Sequence, residues 1–340
     1  MNVLVLQLKR IGDLVLTTPA LAALREHGVH VTLVVDGPCG SLLPAIAGLE
    51  ESHVFHKGGD NCALWTRLRD GGWDACLDFT GSDRSALMGW LSRTPRRITF
   101  DWVRKRLLRR IAYHEFVASP VRLAHTCDHT LDLVRALAVP IPADTLPTLE
   151  LPREARESAH AMLGAAGIHG TPILIHPGSA RPEKYWLAER WAAVIARLHA
   201  LGHACAITCG PDAFEKAHAT AILSLVRAAA TKGAVTELFY PPDLLTLAAL
   251  VETSRLVLSC DTAVVHLAAA FRKPQVALFG PTNPFHWRPR HDLAVVISAT
   301  QPEEPLMQFQ PKMKGAATAN IPTSTVLRAA EELLAVAMET

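Results

Sequence analysis

Residues 256–270 combine a short apolar run, an aspartate with a threonine, and a series of small side chains. This pattern predicts a buried strand over 256–259 that turns directly into a helix over 262–270. The backbone N–H groups of Thr262, Ala263 and Val264 would be free at the start of that helix, where the helix dipole also favours negative charge. The segment therefore predicts a binding site for a diphosphate that needs no metal ion.

The same residues also fit a purely structural role. In that case Asp261 or Thr262 would simply cap the helix, as such residues often do. His266, one helical turn further on, would be a core histidine or a contact to phosphate or sugar.

A second loop follows the predicted strand 172–176. Its glycine, Gly178, permits close approach, while Ser179, Arg181 and Lys184 supply donors for phosphate oxygens. The carboxyl ends of parallel strands are where doubly wound sheets bind ligands. The alternative is an ordinary basic loop that Trp186 anchors.

Two further positions complete the predicted donor site. Gly280 follows the predicted strand 275–279, and its loop would complete the wall of the nucleotide pocket. The glycine and its neighbouring prolines also suit a plain turn. Asp212 follows the predicted strand 204–209 and offers a carboxylate for a ribose diol.

An aspartate lies in the turn that follows the first predicted strand, 3–8. Asp13 would act as a general base that takes a proton from an acceptor hydroxyl, and Lys9, Arg10 and Gly12 beside it would contact that acceptor. The alternative is that Asp13 caps the following helix.

Basic residues crowd residues 93–110, where only one acidic residue opposes them. They are Arg93, Arg96, Arg97, Arg104, Lys105, Arg106, Arg109 and Arg110. Such a block is usually a solvated face. Because Trp102, Leu107, Leu108 and Ile111 lie among them, the segment also suits anionic lipid or a phosphorylated acceptor, with Arg93 and Arg97 as acceptor contacts.

Alternating strands and helices must position these residues. Strand, helix and strand at the spacing of residues 3–35 predict a βαβ unit, and the alternation restarts at residue 172. We therefore predict an α/β fold of two Rossmann-like domains facing across a cleft, residues 1–150 and 151–340, joined by a proline-rich stretch. The predicted last helix, 323–338, packs on the second domain or crosses back to the first.

Length and composition agree with two globular domains. The chain has 340 residues, 49% hydrophobic and 19% charged, beyond the roughly 250–300 at which one core stops growing. A net charge of +2 does not favour a nucleic-acid binder. Seven cysteines without a CxxC pair indicate reduced thiols in a cytoplasmic protein, and neither a signal peptide nor a membrane span is predicted.

Taken together, four motifs resemble the ADP-heptose:lipopolysaccharide heptosyltransferase family, glycosyltransferase family 9. They are Gly12-Asp13 with Thr17-Thr18-Pro19-Ala20-Leu21, the loop from His176 to Trp186, the segment from Asp261 to Ala269, and Phe279-Gly280-Pro281-Thr282. The resemblance covers nearly the whole chain, and the order and spacing of the motifs make the set specific.

The resemblance implies a fold of the glycosyltransferase B type, with ADP-heptose as the donor in the second half and the lipopolysaccharide inner core as the acceptor. It makes Asp13 the base and Lys184 a contact to the donor phosphates. We expect neither a cofactor nor a metal ion, and a location in the cytoplasm or peripherally on the cytoplasmic face of the inner membrane. Three alternatives remain: a glycosyltransferase with another donor or acceptor, a sugar-nucleotide epimerase or hydrolase, and a non-catalytic nucleotide-binding protein.

Overall fold

A computed structural model describes residues 1–142, 145–229 and 235–339. The chain forms two compact units, Met1–Glu150 and Leu151–Thr340. The division falls inside the proline-containing stretch 140–152. Each unit is an α/β layer structure built on one parallel sheet of six strands, as the sequence predicts.

The first unit contains a sheet in the order β3-β2-β1-β4-β5-β6. Its strands are β1 (Asn2–Gln7), β2 (His30–Asp36), β3 (Leu49–Phe55), β4 (Ala75–Asp78), β5 (Arg96–Phe100) and β6 (Glu115–Val117). Its helices are α1 (Ile11–Val15), α2 (Thr18–Glu26), α3 (Cys62–Asp70), α4 (Asp83–Leu91), α5 (Leu107–Arg110) and α6 (Thr126–Arg135).

The second unit repeats this plan with the order β12-β11-β10-β7-β8-β9. Its strands are β7 (Ile173–His176), β8 (Cys205–Thr208), β9 (Thr236–Phe239), β10 (Leu256–Cys260), β11 (Gln275–Phe279) and β12 (Ala294–Ser298). Its helices are α7 (Arg153–Ala165), α8 (Ala188–Ala200), α9 (Ala213–Ala228), α10 (Leu244–Thr253), α11 (Ala263–Ala270), α12 (Pro284–Trp287) and α13 (Thr323–Glu339).

The central strands are mainly apolar, as expected where helices cover both faces of a parallel sheet. Val3, Leu4, Val5 and Leu6 of β1 have no exposed surface. In each unit the first strand lies beside the fourth, β1 beside β4 and β7 beside β10, and the chain leaves these two strands in opposite directions. Ligands of doubly wound sheets bind at this point, at the carboxyl ends of the strands.

The last helix belongs to the second unit. α13 packs on α8 and on β10, β11 and β12, and its side chains Val326, Ala330 and Leu333 join the buried cluster of that unit. The segment before the helix is also fixed, because Trp186 Nε1 donates to the Ile321 carbonyl at 3.0 Å.

All seven cysteines are free thiols, and Cys62 alone among them is exposed. Within the described ranges, no helix has the length and apolar character that a bilayer crossing requires.

Candidate functional site

A nearly buried ion pair lies where β7 and β10 end. The Lys184 ammonium is 2.6 Å from Oδ2 of Asp261 and donates to the Asp261 carbonyl at 3.1 Å. Their side chains are only 12% and 6% exposed. Because β7 and β10 are neighbours in the sheet, two residues 77 positions apart in sequence meet at this edge.

The start of α11 is not capped by a side chain. Thr262 takes the N-cap position in an extended conformation but makes no side-chain cap hydrogen bond, and the carboxylate of Asp261 is bound to Lys184. Thr262 and Ala263 are half-buried, whereas Val264 is buried. The helix start therefore presents backbone N–H groups beside an ammonium group, which is a favourable site for an anion.

Hydrogen bonds fix the strand ends around this pair. His176 is 4% exposed, and its Nδ1 lies 3.0 Å from Oγ1 of Thr208 on β8. Burial lowers the pKa of His176 to about 4, so its ring is neutral near pH 7. Ser259 Oγ donates to the His176 carbonyl at 3.1 Å, which ties β10 to β7.

The other two predicted donors of this loop have different surroundings. Ser179 is buried, and its Oγ accepts from the Arg181 backbone N–H at 3.4 Å. The Arg181 guanidinium is 43% exposed and bonds to Glu183 at 2.7 Å. Lys184, on the short 3-10 turn Pro182–Lys184, is therefore the buried cation of the loop.

The carboxylate at the end of β8 comes from a residue that the sequence reasoning missed. Asp212 is exposed and serves as the N-cap of α9, accepting from Phe214 N–H at 2.8 Å. Glu215 is 7% exposed and accepts from the Gly210 N–H at 2.7 Å. Burial raises the pKa of Glu215, while the Gly210 hydrogen bond lowers it. A glutamate three residues after an N-cap aspartate was the available signal.

Glycines make room for this carboxylate. A Cβ atom on Gly178 would lie 3.0 Å from Glu215, and one on Gly210 would lie 2.6 Å from its Oε2. Both glycines follow strands of the same edge, so the carboxyl group sits between the ends of β7 and β8. Glu215, rather than Asp212, is therefore the carboxylate that is held between these two strand ends.

Gly280 has a packing reason of its own. A Cβ atom there would lie 2.0 Å from Oγ1 of Thr318, and the Gly280 carbonyl accepts from Ala316 N–H at 3.1 Å. Gly280 therefore lets the segment that contains Ala316 and Thr318 pack close to the end of β11. His266 is 4% exposed in α11.

In the first unit, Asp13 lies at the carboxyl end of β1. It is half-buried in α1, whose N-cap is Arg10, and the N-cap of α2 is Thr17. The capping alternative for Asp13 is therefore wrong. Thr17 Oγ1 donates to the Asp13 carbonyl at 2.7 Å and accepts from Gln7 Nε2 at 2.6 Å, which fixes the turn.

The residues predicted to contact an acceptor fall into two groups. Lys9 and Gly12 are half-buried and Arg10 is exposed, all in the turn that carries Asp13. Arg97 is bound within the unit, since its guanidinium donates to the Ala112 carbonyl at 2.6 Å and to the Thr94 carbonyl at 2.7 Å. Arg93 is exposed, with a positive φ of 52°.

Comparisons with known proteins agree with this architecture. The chain is 25% identical over 337 residues to "Lipopolysaccharide heptosyltransferase 3" of Escherichia coli, covering 95% of this chain and 96% of that protein. A glycosyltransferase family 9 structure from Veillonella parvula superposes with a TM-score of 0.81 at 25% identity, covering 100% and 97% of the two chains.

A further structure shares the fold. "ADP-heptose lps heptosyltransferase II" of E. coli has a TM-score of 0.79 at 20% identity, with 100% of both chains covered. The predicted fold class, two Rossmann-like domains of the glycosyltransferase B type, is confirmed.

The model of one family matches residues 61–317, which is most of the chain. The resemblance inferred from the sequence motifs is thereby confirmed: the chain belongs to glycosyltransferase family 9 (heptosyltransferase).

Proposed function

We propose that the protein transfers heptose from ADP-heptose to a sugar of the lipopolysaccharide inner core, with inversion at the anomeric carbon. The observation that carries the proposal is the buried Lys184–Asp261 pair at the uncapped start of α11. Relatives named as lipopolysaccharide heptosyltransferases, over nearly the same length of chain, support the choice of donor and acceptor.

The donor diphosphate would bind at the edge of the second sheet. Lys184 has three ammonium hydrogens, and its two acceptors on Asp261 leave one for a phosphate oxygen. The N–H groups at the start of α11 supply further donors. We propose Ser179, Arg181, His266 and Gly280 as further donor contacts, and Glu215 in place of Asp212 as the ribose contact.

Asp13 would act as the general base. Its carboxylate takes the proton of an acceptor hydroxyl as that oxygen attacks the anomeric carbon of heptose. The bond between that carbon and the diphosphate oxygen breaks, and ADP leaves with the electron pair. The ammonium of Lys184 and the α11 N–H groups stabilise the charge that develops on the leaving group.

We propose that the reaction uses neither a cofactor nor a metal ion. The protein itself supplies positive charge, in the form of Lys184 and a helix start, at the place where the diphosphate would bind. Activity in the presence of a chelator tests this point.

The acceptor would bind to the first unit at Lys9, Arg10, Gly12 and Arg93, with Arg97 holding the local structure. Basic side chains suit the acidic sugars and phosphates of an inner core. We place the enzyme in the cytoplasm, where free thiols are stable, in peripheral contact with the inner membrane.

The test is ADP release from ADP-heptose, measured with and without a deacylated inner-core acceptor and with EDTA present. We expect release that depends on the acceptor and is unaffected by EDTA. Asp13→Asn lowers kcat by about 10²–10⁴, the range for loss of a general base, while the Kd for ADP stays within about twofold because Asp13 lies in the other unit.

The matched control is Asp70→Asn, an exposed aspartate of the first unit, which should keep normal turnover. Release without acceptor would identify a hydrolase instead. Near-normal turnover of Asp13→Asn at saturating substrates would remove Asp13 from the mechanism.

A further inference from the structure

One face of the first unit exposes large apolar side chains side by side. They belong to α4 and α5 and to the residue after α5: Leu87 (48% exposed), Trp90 (53%), Leu107 (70%), Leu108 (80%) and Ile111 (68%). A shallow groove of about 280 Å³ runs between the two helices, and Leu87, Trp90, Leu108 and Ile111 line it. We call this surface the α4–α5 face.

Unpaired positive charge lies in the same segment of the chain as these apolar side chains. Residues 81–111 contain nine basic and two acidic residues, although the whole chain has a net charge of only +2. Arg109 pairs with Asp83 at 2.6 Å. Within the described part of the chain, no ion pair neutralises Arg93, Arg104, Lys105, Arg106 or Arg110, which are all exposed.

The face is held rigidly on the sheet. Arg109 Nη1 donates to the Gly81 carbonyl at 2.7 Å, just after β4. A Cβ atom on Gly81 would lie 2.7 Å from both Trp102 and Val103, so the segment before α5 packs directly on this turn. Since β4 is the sheet neighbour of β1, the α4–α5 face is anchored to the same edge that carries Asp13.

We propose that the α4–α5 face docks on an anionic lipid bilayer. Leucine, isoleucine and tryptophan side chains enter the boundary between headgroups and acyl chains, and the surrounding arginines and lysine bind lipid phosphates. A carbohydrate acceptor would not account for three aliphatic side chains that are 68–80% exposed. Exposed basic side chains interspersed along the chain with exposed apolar ones are the combination that an anionic leaflet binds.

Docking there would serve the proposed function, on which this step rests. An acceptor whose lipid part lies in the bilayer would present its sugar near the carboxyl edge of the first sheet. The enzyme would then search for its acceptor in two dimensions along the membrane.

The experiment is sedimentation of the full chain with vesicles of phosphatidylcholine alone or mixed with phosphatidylglycerol. We expect binding to the anionic vesicles only, weakened by salt because exposed charges are screened. The apolar variant replaces Leu107, Leu108 and Ile111 with Ser. The charge variant replaces Lys105, Arg106 and Arg110 with Ser. Each should lower the partition coefficient at least tenfold, since one basic residue near an anionic leaflet contributes about fivefold and one buried large aliphatic side chain contributes at least about tenfold.

Matched controls lie in the second unit. Met307→Ser removes an apolar side chain that is 84% exposed, and Lys314→Ser removes an exposed charge. Both should bind vesicles within twofold of the wild type. All the replaced side chains are exposed, so thermal unfolding should change little.

Activity with the deacylated, water-soluble acceptor separates this proposal from the proposed function. The apolar and charge variants should keep it within twofold. Vesicle binding without any transferase activity would contradict the proposed function and leave the docking face standing. Wild-type protein that ignores anionic vesicles, or two variants that bind as well as the wild type, would overturn the docking proposal.

Discussion

The Lys184–Asp261 pair explains how a single lysine is held at a helix start. Burying two charges costs free energy unless the partners are close and hydrogen-bonded, and here the ammonium has both the carboxylate and the carbonyl of Asp261. In the proposed mechanism Asp261 is therefore a positioning residue. It holds the Lys184 ammonium where the free N–H groups of α11 already favour an anion.

Replacing the lysine should weaken nucleotide binding. Lys184→Gln removes a charged hydrogen bond, worth about 1.5–3 kcal/mol, so the Kd for ADP should rise roughly tenfold to 150-fold. Calorimetric titration with ADP measures this. The control Lys312→Gln, an exposed lysine of the second unit, should bind ADP normally. Equal affinities for the wild type and Lys184→Gln would show that the ammonium does not contact the diphosphate.

The sequence revealed the two members of this pair but not the pair itself. Lys184 and Asp261 each lie in a loop after an apolar strand, which the sequence shows, yet their contact depends on β7 lying beside β10. Glu215 was missed because α9 was not predicted, so its place in the first turn beside Gly210 was not visible. Contacts between distant loops follow from strand order, which one sequence does not give.

The end of β11 depends on a glycine that a returning segment packs against. In Gly280→Ala the new Cβ would meet the Thr318 hydroxyl, and overpacking of this kind costs about 1–3 kcal/mol. We expect a lower urea midpoint for the second unit. Adding Thr318→Gly should restore part of the loss, because the clashing side chain is gone.

Gly164→Ala is the matched control for that experiment. Gly164 lies in α7, and nothing lies within 4 Å of an added Cβ. This replacement should raise stability by about 0.5–1 kcal/mol, the helix propensity difference. If Gly280→Ala were as stable as the wild type, residues 315–318 would not pack on β11 as described.

Strands could be predicted from the sequence where both of their faces are buried, because nearly all of their residues are then apolar. The central strands β1, β7, β10 and β11 are apolar runs, and their predicted bounds lie within about two residues of those observed. Five strands were not predicted: the edge strands β3, β6, β9 and β12 and the inner strand β5. β3 is polar and β6 and β9 are short, since an edge strand has fewer neighbours to bury its side chains. β5 begins with two arginines, whereas β12 is an apolar run that offered a signal.

Stability of the second unit should fall in mild acid. Burial lowers the pKa of both His176 and His291 to about 4, below the usual value near 6.5. As the pH falls below about 6.5, the unfolded chain takes up these protons and the folded chain does not, so stability present at pH 7 is lost down to about pH 4. For His176 this amounts to roughly 3 kcal/mol.

Urea unfolding at several pH values measures the effect. His176→Gln lowers stability at neutral pH through lost packing, but its stability should depend less on pH between 7 and 4. His169→Gln, which replaces an exposed histidine, should follow the wild type. Parallel pH profiles for the wild type and His176→Gln would contradict the buried, neutral state of His176.

For the molecule as a whole, the sequence predicted two α/β units because the alternation of strand and helix occurs twice. In each unit the strand order changes direction between the first and fourth strands. The candidate base lies at this position in the first unit, and the candidate phosphate site lies at the same position in the second. The sequence left the placement of the last helix open, because an amphipathic helix without a following strand fits more than one apolar surface.

The packing of α13 has a consequence for synthesis on the ribosome. The first unit has all its strands and helices once residue 135 has emerged, so it can fold while translation continues. In the second sheet, one face of β10, β11 and β12 stays open until Thr323–Glu339 is made. At about 5–20 residues per second, the nascent chain exposes that apolar surface for several seconds, the interval in which a chaperone would bind it.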